Sequence, residues 1–326
     1  FPQARRHSGE PLEARDNSMK IGTITQVSGP VVDVEFEAGH LPKIKEALSV
    51  ELNGQTLHIQ AASGQTHTYD GTLGAGTLDV SGAGTQVLRS SGADTDLTVS
   101  GGNLVLQGKA DVDGAHLSYG NLVNNGKLAI QASDNALTAV NTTLSVENAT
   151  FGSGSTTTFT LNTDADMTAS FIKASGDIVI ENGAAFHVTS IPGVNITWKS
   201  GNPMELTLME LTGAGTIDLG ENTLTVGGLF LTYYKNAHLV QEGDKVVLKA
   251  EEQTDNIYAG VADTANSMAG ANLIWEAARH GSVDQAVTDF LAALNDDMVN
   301  NPSAARRSLA AAAGSTVTSL GIAQRD

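Results

Sequence analysis

The stretches GTLDVSG (76–82), DLTVSGG (96–102) and NLVLQG (103–108) decide the fold class of this chain. In each stretch apolar and polar side chains alternate, and each ends in a cluster of small turn-forming residues. Alternation with a period of two indicates a half-buried β-strand, and such clusters end strands in tight turns. The sequence therefore predicts short strands joined by short turns.

The same pattern recurs as far as residue 250. Further strands are predicted at 116–120, 127–131, 143–148, 156–162, 170–174, 177–183, 185–190, 195–200, 204–211, 215–220, 222–234 and 245–250. One unit recurs about every 20 residues, which is typical of stacked parallel β coils. At that spacing residues 61–250 predict about nine coils in a stack about 40 Å long.

Two architectures suit this many strands. A β-sandwich or barrel usually fills a wide core with aromatic side chains, whereas aromatic residues make up only 5% of this chain. A β-helix stacks its coils about 4.8 Å apart, so small and β-branched side chains suffice to fill it. We therefore predict a mainly β chain with a right-handed parallel β-helix, or solenoid, over residues 61–221.

Composition excludes several functional classes. The net charge of −18 repels phosphate backbones, so no nucleic-acid partner is expected. The chain has no cysteine, which excludes disulfides, cysteine–zinc sites and thiol catalysis. No apolar run reaches eighteen residues, so no transmembrane helix is predicted. Residues 1–18 lack an apolar segment and are interpreted as a disordered leader or tag, not a signal peptide.

Residues 19–60 form a separate compositional unit. KIGTITQVSGPVVDVEFEAG (20–39) predicts two strands around Gly29–Pro30, and Asn53–Gly54 predicts a hairpin further on. These strands amount to a fragment of a small β-barrel, too short to bury a core alone.

The C-terminal third changes from dense β pattern to helical pattern. In 222–252, antiparallel hairpins are predicted to cap the β-helix with Leu229, Phe230, Tyr233 and Tyr234.

In 253–326, three helices are predicted. The first buries Met268, Ala271, Ile274, Trp275 and Ala278 and ends at Gly281. The second opens with a capping box at 282–285 and carries Val283, Ala286, Val287, Phe290, Leu291 and Leu294 on one face. NNPS (300–303) separates it from a third, which ends at Gly314.

Three Asp-x-Asp pairs are the candidate metal or acid–base residues: Asp94/Asp96, Asp111/Asp113 and Asp164/Asp166. Residues i and i+2 of a strand share a face, so each pair has the geometry to chelate Ca²⁺ or to act as acid and base. Aspartate is also a common turn former, and we favour solvated corners because no basic residue adjoins the pairs. No catalytic residue and no cofactor site is predicted from sequence motifs.

The order of parts in residues 61–326 resembles the C-terminal region of a type V autotransporter passenger. The resemblance rests on the Gly/Ser/Thr/Asn-rich coils, the dense closing segment 222–250 and the helical run from NIYAGVADTANSMAGANLIWEAARHG (256–281) onward. It implies a passenger at the bacterial cell surface, in the outer membrane or outside the cell. It also implies a helical linker that precedes an outer-membrane barrel not included in this sequence.

Residues 19–59 resemble a different family. GTITQVSGPVVDVEFEAGHLPKIKEALSVELNG (22–54) is similar to the N-terminal β-barrel segment of the catalytic β subunit of rotary ATP synthase. The phosphate-binding pattern G-x-x-x-x-G-K-[ST] occurs nowhere in this chain, so the resemblance implies a motor-subunit fragment without its nucleotide site. A joining of two reading frames, natural or engineered, is the simplest explanation.

Three functions are consistent with these features. The first is a surface-exposed or secreted passenger with a structural or adhesive role and no catalysis, whose partner is a host or cell-surface glycan or protein. The second is a fragment of the ATP synthase β subunit. The third is a β-helix hydrolase that acts on host glycans or mucin.

Overall fold

The computed structural model describes residues 22–28, 31–36, 38, 54–71, 73–111, 114–131, 141–161, 171–190, 204–228, 230–280 and 285–323. The chain divides into two compact units, Phe1–Ala47 and Leu48–Asp326. In the first unit, β1 (Gly22–Ser28) and β2 (Val31–Phe36) pair antiparallel, which confirms the two strands predicted there.

The second unit is built from short strands followed by helices. In chain order its elements are β3 (Thr56–Ala61), β4 (Thr66–Tyr69), β5 (Gly76–Gly82), β6 (Thr85–Leu88), β7 (Thr95–Val99), β8 (Asn103–Gln107), β9 (Ala110–Asp111), β10 (Gly114–Ser118), β11 (Leu122–Asn124), β12 (Lys127–Gln131), β13 (Thr142–Val146), β14 (Ala149–Phe151), β15 (Thr156–Leu161), β16 (Ile172–Ala174), β17 (Ile178–Ile180), β18 (Ala184–Ser190), β19 (Met204–Leu211), β20 (Ile217–Leu219), β21 (Asn222–Val226), α1 (Phe230–Tyr233), β22 (Tyr234–Glu242), β23 (Lys245–Glu252), a 3₁₀ helix (Ile257–Gly260), α2 (Ala265–His280), α3 (Gln285–Asn300) and α4 (Pro302–Ala323). The protein is mainly β, as predicted, with its helices toward the C-terminus.

The strands of this unit form three seven-stranded sheets. Their orders are β3-β5-β7-β11-β14-β17-β20 in the first sheet, β4-β6-β8-β12-β15-β18-β21 in the second and β9-β10-β13-β16-β19-β23-β22 in the third. The first and second sheets are parallel throughout, and the third is parallel from β10 to β19. From β7 onward the chain enters the three sheets in turn, so each circuit adds one strand to every sheet.

Successive circuits, or coils, place like side chains in register and so build one continuous core. In the first sheet, consecutive register partners Leu78, Leu97, Leu122, Ala149 and Ile178 are each at most 2% exposed. Aromatic side chains enter the core in the later coils, where a phenylalanine of the first sheet contacts one of the second edge to face. Mostly small and branched side chains therefore fill this interior, as its low aromatic content predicts.

The number of coils differs from the prediction. Among the described residues the first and second sheets contain seven strands each, whereas a coil about every 20 residues predicts about nine over 61–250. The reason is that the repeat lengthens along the chain. The register partners His58 and Asp79 are 21 residues apart, whereas Asp177 and Thr216, in line at the end of the same sheet, are 39 apart.

Two other predictions about strands need correction. Thr56–Gln60, assigned by composition to the N-terminal unit, belong to β3, which pairs in parallel with β5. Residues 222–234 were predicted as one strand, but β21 ends at Val226 and α1 follows at Phe230. Within the predicted segment 222–252, an antiparallel hairpin is formed by β22 and β23, and β23 also pairs antiparallel with β19. The predicted strand at 195–200 lies outside the described residues.

The closing segment and the helices bury the predicted aromatic residues. Phe230, Tyr233 and Tyr234 are buried, as are Ala271, Ile274, Trp275 and Ala278 of α2. Met268, Val287 and Phe290, predicted on buried faces, are each 38% exposed. The predicted helix end at Gly314 is wrong, because α4 continues to Ala323. One glycine costs a helix only about 1 kcal/mol, and the run of alanines before it favours continuation. Among the described residues, no helix combines the length and hydropathy needed to span a bilayer.

Candidate functional site

The carboxylate of Asp96 is bound within the protein at the corner that leads from the third sheet into the first. Its Oδ1 accepts a hydrogen bond from the backbone N–H of Asn121 at 2.7 Å and another from the Asn121 side-chain amide at 2.9 Å. Asn121 stands one coil further along, in line with Asp96, because β7 and β11 are in parallel register. This carboxylate therefore holds two coils together.

In the coils that follow, the residues at the same corner also form hydrogen bonds from coil to coil. Asn148 donates from its amide to Oδ1 of Asn121 at 2.7 Å, and its own Oδ1 accepts from the backbone N–H of Asp177 at 2.7 Å. Asp177 in turn accepts from the backbone N–H and the hydroxyl of Thr216, at 2.7 and 3.0 Å. We call the set Asp96, Asn121, Asn148, Asp177 and Thr216 the corner ladder. Each hydrogen bond links neighbouring coils side chain to side chain or side chain to backbone.

The corner ladder has a signal in the sequence that the alternation of strands does not reveal. Each of its members directly precedes the first inward-facing apolar residue of a strand in the first sheet, as in Asn121–Leu122 and Asp177–Ile178. Only the register shows that these separate positions form one column, because their spacing in sequence is irregular.

The other predicted aspartates are placed differently. Asp94 is exposed and precedes β7, and Asp111 ends β9. Asp113, Asp164 and Asp166 lie outside the described residues. Within the described ranges, no three His, Asp or Glu side chains are grouped so that they could hold a metal ion. Of the three predicted pairs, the structure therefore assigns a hydrogen-bonding role to one member, Asp96.

A second corner, between the first and second sheets, is built around a buried asparagine. Asn124 is 0% exposed and donates to the hydroxyl of Thr157 at 3.0 Å and to the backbone oxygen of Thr156 at 3.2 Å. Its Oδ1 accepts from the N–H of Gly126 at 3.0 Å. All three contacts satisfy a polar group that would otherwise be costly to bury.

The outer faces of the first and third sheets carry titratable side chains. His58 contacts Asp79 at 2.8 Å across the first two coils. On the third sheet, Lys249 of β23 pairs with Glu205 of β19 at 3.2 Å and with Glu242 of β22. These pairs connect neighbouring strands, and they place carboxylates on two of the three outer faces.

The outer face of the second sheet has a different composition. No aspartate or glutamate occurs in any of its seven strands as the structure describes them. Its outward positions are Thr66, Thr68, Thr85, Val87, Asn103, Val105, Gln107, Lys127, Ala129, Gln131, Thr156, Thr158, Thr160, Ala185, His187, Thr189, Thr223 and Thr225. We call this set the neutral face. His187 contacts the hydroxyl of Thr225 at 2.8 Å, and burial lowers the pKa of its imidazole.

The helices are attached to the β part by buried polar groups. Asn295 of α3 donates to the backbone oxygen of Gly228 at 2.6 Å and to the hydroxyl of Thr232 at 2.8 Å. The Tyr258 hydroxyl lies 2.9 Å from that of Thr232, and burial raises the pKa of this phenol. Arg279 of α2 packs over the Trp275 ring and pairs with Glu252 of β23 at 3.0 Å. These contacts therefore join α2 and α3 to residues of the β part that are distant in sequence.

A shallow groove of about 330 Å³ lies between the start of α2 and α4. It is lined by Asp263, Thr264, Ser267, Ser303, Arg306, Arg307 and Ala310. Arg306 donates to the backbone oxygen of Val261 at 3.1 Å and lies 3.6 Å from the Asp263 carboxylate. Its charge is thus used to hold α4 against the segment that precedes α2.

Comparison with known proteins identifies one short region. Residues 24–62 match the beta-barrel domain of the ATP synthase alpha/beta family, which agrees in family with the resemblance of residues 19–59 noted above. The match covers a small part of the 326 residues, and it includes β3, which pairs in the first parallel sheet. No solved structure matches the chain.

Proposed function

We propose that residues from β3 onward form a right-handed parallel β-helix that serves as a surface-exposed or secreted autotransporter passenger with a structural or adhesive role. The observation that carries this proposal is the cyclic order in which the chain enters three sheets, two of them parallel throughout and the third parallel from β10 to β19. Crossovers between parallel strands are right-handed in about 98% of cases, which supports the handedness. A stack of this kind presents long regular faces, which suit adhesion and display.

The side-chain contacts support a scaffold role. The corner ladder uses its amides and carboxylates to link coils, and the interior columns are filled by apolar side chains. Polar groups committed to such bonds are unavailable to a substrate. The outer faces of the sheets remain accessible, and many weak contacts can act together there.

The C-terminal part fits the passenger proposal. Under this proposal the β22–β23 hairpin caps the β-helix, since its antiparallel pairing with β19 ends the parallel order of the third sheet. The helices over 253–326 are proposed to lead toward an outer-membrane barrel in the full-length protein.

Antibodies raised against the purified chain test the localisation. We expect them to label intact cells of the source bacterium, and to lose their target after brief external protease treatment. Labelling that requires lysis of the cells contradicts the proposal.

A second candidate is a fragment of the ATP synthase β subunit, which the family match at 24–62 favours. The chain lacks the G-x-x-x-x-G-K-[ST] pattern whose backbone and lysine bind phosphates, so it supports no nucleotide site by that route. Titration calorimetry with Mg-ATP separates the candidates, because the passenger proposal expects no binding heat. Sequencing of the source locus across residues 55–65 tests whether two reading frames have been joined.

A further inference from the structure

We propose that the neutral face is a self-association surface, on which two copies of this chain meet through their second sheets. The inference deepens the adhesive role proposed above and rests on it for its biological consequence. Its physical basis is the contrast between this face and the charge of the whole chain.

Charge determines which surfaces of two identical molecules can approach each other. The chain carries a net charge of −18, so two copies repel one another over most of their surfaces. Carboxylates lie in strands of the first sheet, such as Asp79 and Asp218, and in strands of the third, such as Glu205 and Glu210. The strands of the second sheet contain none among the residues described. Only the face of this sheet lets two copies meet without opposing carboxylates within the strands.

The same contrast selects among partners. A neutral glycan gains nothing from the absence of carboxylates, because it has no charge to be repelled. A polyanion requires a row of cations, whereas Lys127 is the one lysine or arginine among the outward positions of the described strands. Arg89, which follows β6, already donates to Gln107 of this face at 3.1 Å. An equally acidic partner explains a neutral face best, and a second copy is such a partner. A two-fold axis then brings the same patch of each copy together.

The dimensions of the face predict a weak complex. Seven strands about 4.8 Å apart, each presenting about 17 Å of length, give a patch of about 500 Å² per copy. About 1,000 Å² buried in total lies at the low end for specific interfaces, where association is transient. The face has threonine hydroxyls, small apolar groups and amides, and its described outward positions include no aromatic anchor. Many such contacts between arrays of passengers on two cells add up by avidity.

Two threonines of the same coil provide a matched test. Thr158 lies on the neutral face in β15, next to the central strand β12, and Thr150 lies on the outer face of the first sheet in β14. Both are half-buried residues of neighbouring strands, flanked by register partners on each side. The Thr158→Glu variant places two carboxylates in the proposed interface, one from each copy, whereas the Thr150→Glu variant places them outside it.

The experiment is sedimentation equilibrium of the purified full chain, from low micromolar to submillimolar concentration, in about 0.1 M and about 1 M NaCl. The Debye length shortens from about 10 Å to about 3 Å between these salts, so screening of the mutual repulsion must strengthen dimerisation. We expect a dimer of the wild type that tightens with salt. We expect Thr158→Glu to weaken it at least about tenfold and Thr150→Glu to leave it within about twofold. Circular dichroism melts verify that both variants fold.

Several results overturn the proposal. They are a wild type that stays monomeric in both salts, a dimer that weakens with salt, and equal losses in the two variants. If the wild-type monomer binds to a glycan array and the Thr158→Glu variant does not, the neutral face is assigned to a glycan instead of a second copy. Because these measurements use purified protein, a negative result leaves the surface-labelling experiment unaffected, and the two proposals fail separately.

Discussion

Asn148 donates a hydrogen bond from its side-chain amide to Oδ1 of Asn121 at 2.7 Å, although 27 residues separate them in sequence. The two residues occupy equivalent positions in consecutive coils, since β11 and β14 are in parallel register. The bond therefore joins two stacked coils directly. Asn121 is also bonded to Asp96 of the preceding coil, and Asn148 is bonded to Asp177 of the following coil.

Removal of the central amide is expected to destabilise the stack. Asn148→Ala deletes the donor to Asn121 and the acceptor for the backbone N–H of Asp177. Because two hydrogen bonds between coils are then lost, one of them partly buried, the free energy of unfolding should fall by about 1–3 kcal/mol in urea titrations. Gln60→Ala, at an exposed position of the edge strand β3 in the same sheet, is the control and should change the free energy of unfolding by less than about 0.5 kcal/mol. Equal effects in both variants contradict a bonding role for the corner ladder.

Glycine is required where the corner ladder approaches the backbone. A Cβ added at Gly176 would lie 2.2 Å from Oδ1 of Asn148 and 3.0 Å from the backbone oxygen of Glu147. Gly176→Ala should therefore lower the free energy of unfolding by about 1–3 kcal/mol through overpacking. At Gly101 a Cβ meets nothing within 4 Å, so Gly101→Ala should be neutral or slightly stabilising. The account fails here if Gly176→Ala melts at the wild-type temperature.

The aromatic contact between the first and second sheets should contribute strongly to stability. Phe186 is 1% exposed and meets Phe151 edge to face, with ring centroids 5.4 Å apart. Phe186→Ala should cost about 3–5 kcal/mol, because it leaves a cavity between sheets. Phe290→Ala is the control, since this ring is 38% exposed on α3. Comparable losses in the two variants are incompatible with a shared interior between the sheets.

Buried tyrosines should make the fold sensitive to alkali. Burial raises the pKa of Tyr258 above the usual value of 10, so the folded state keeps its proton where the unfolded state loses it. Stability from this group is complete below pH 10 and falls by about 1.4 kcal/mol per pH unit above it, until the raised pKa is reached. Tyr258→Phe should reduce the slope of unfolding free energy against pH by that amount. An unchanged slope between pH 10 and 11.5 disproves the assignment.

The sequence predicts the class of fold well because alternation is local. GTLDVSG alternates along β5, and Leu78 and Val80 are buried as expected. Strands such as Leu122–Asn124 and Ala149–Phe151 escape detection, because three residues are too few to show a period. The aromatic residues of Phe230–Tyr233 favour β structure and so predict a strand, whereas tertiary packing imposes a helical turn.

The bonding role of the candidate site residues depends on register, which no local pattern contains. Asp96 looks like half of a chelating pair in sequence, whereas its real partner is Asn121 in the next coil. The neutral face is likewise invisible until strands from β4 to β21 are aligned side by side.

Because the chain has no native cysteine, an introduced pair tests the stacking of parallel coils most directly. Thr98 and Val123 are register partners on the outer face of the first sheet, whereas Thr150 lies one coil beyond Val123. Adjacent coils lie about 4.8 Å apart, within the Cα range that a disulfide spans, whereas a two-coil separation is too long. We therefore predict that Thr98→Cys/Val123→Cys oxidises to an intramolecular disulfide, found by mass spectrometry of peptides, and that Thr98→Cys/Thr150→Cys does not. A disulfide in the second pair but not in the first contradicts the account.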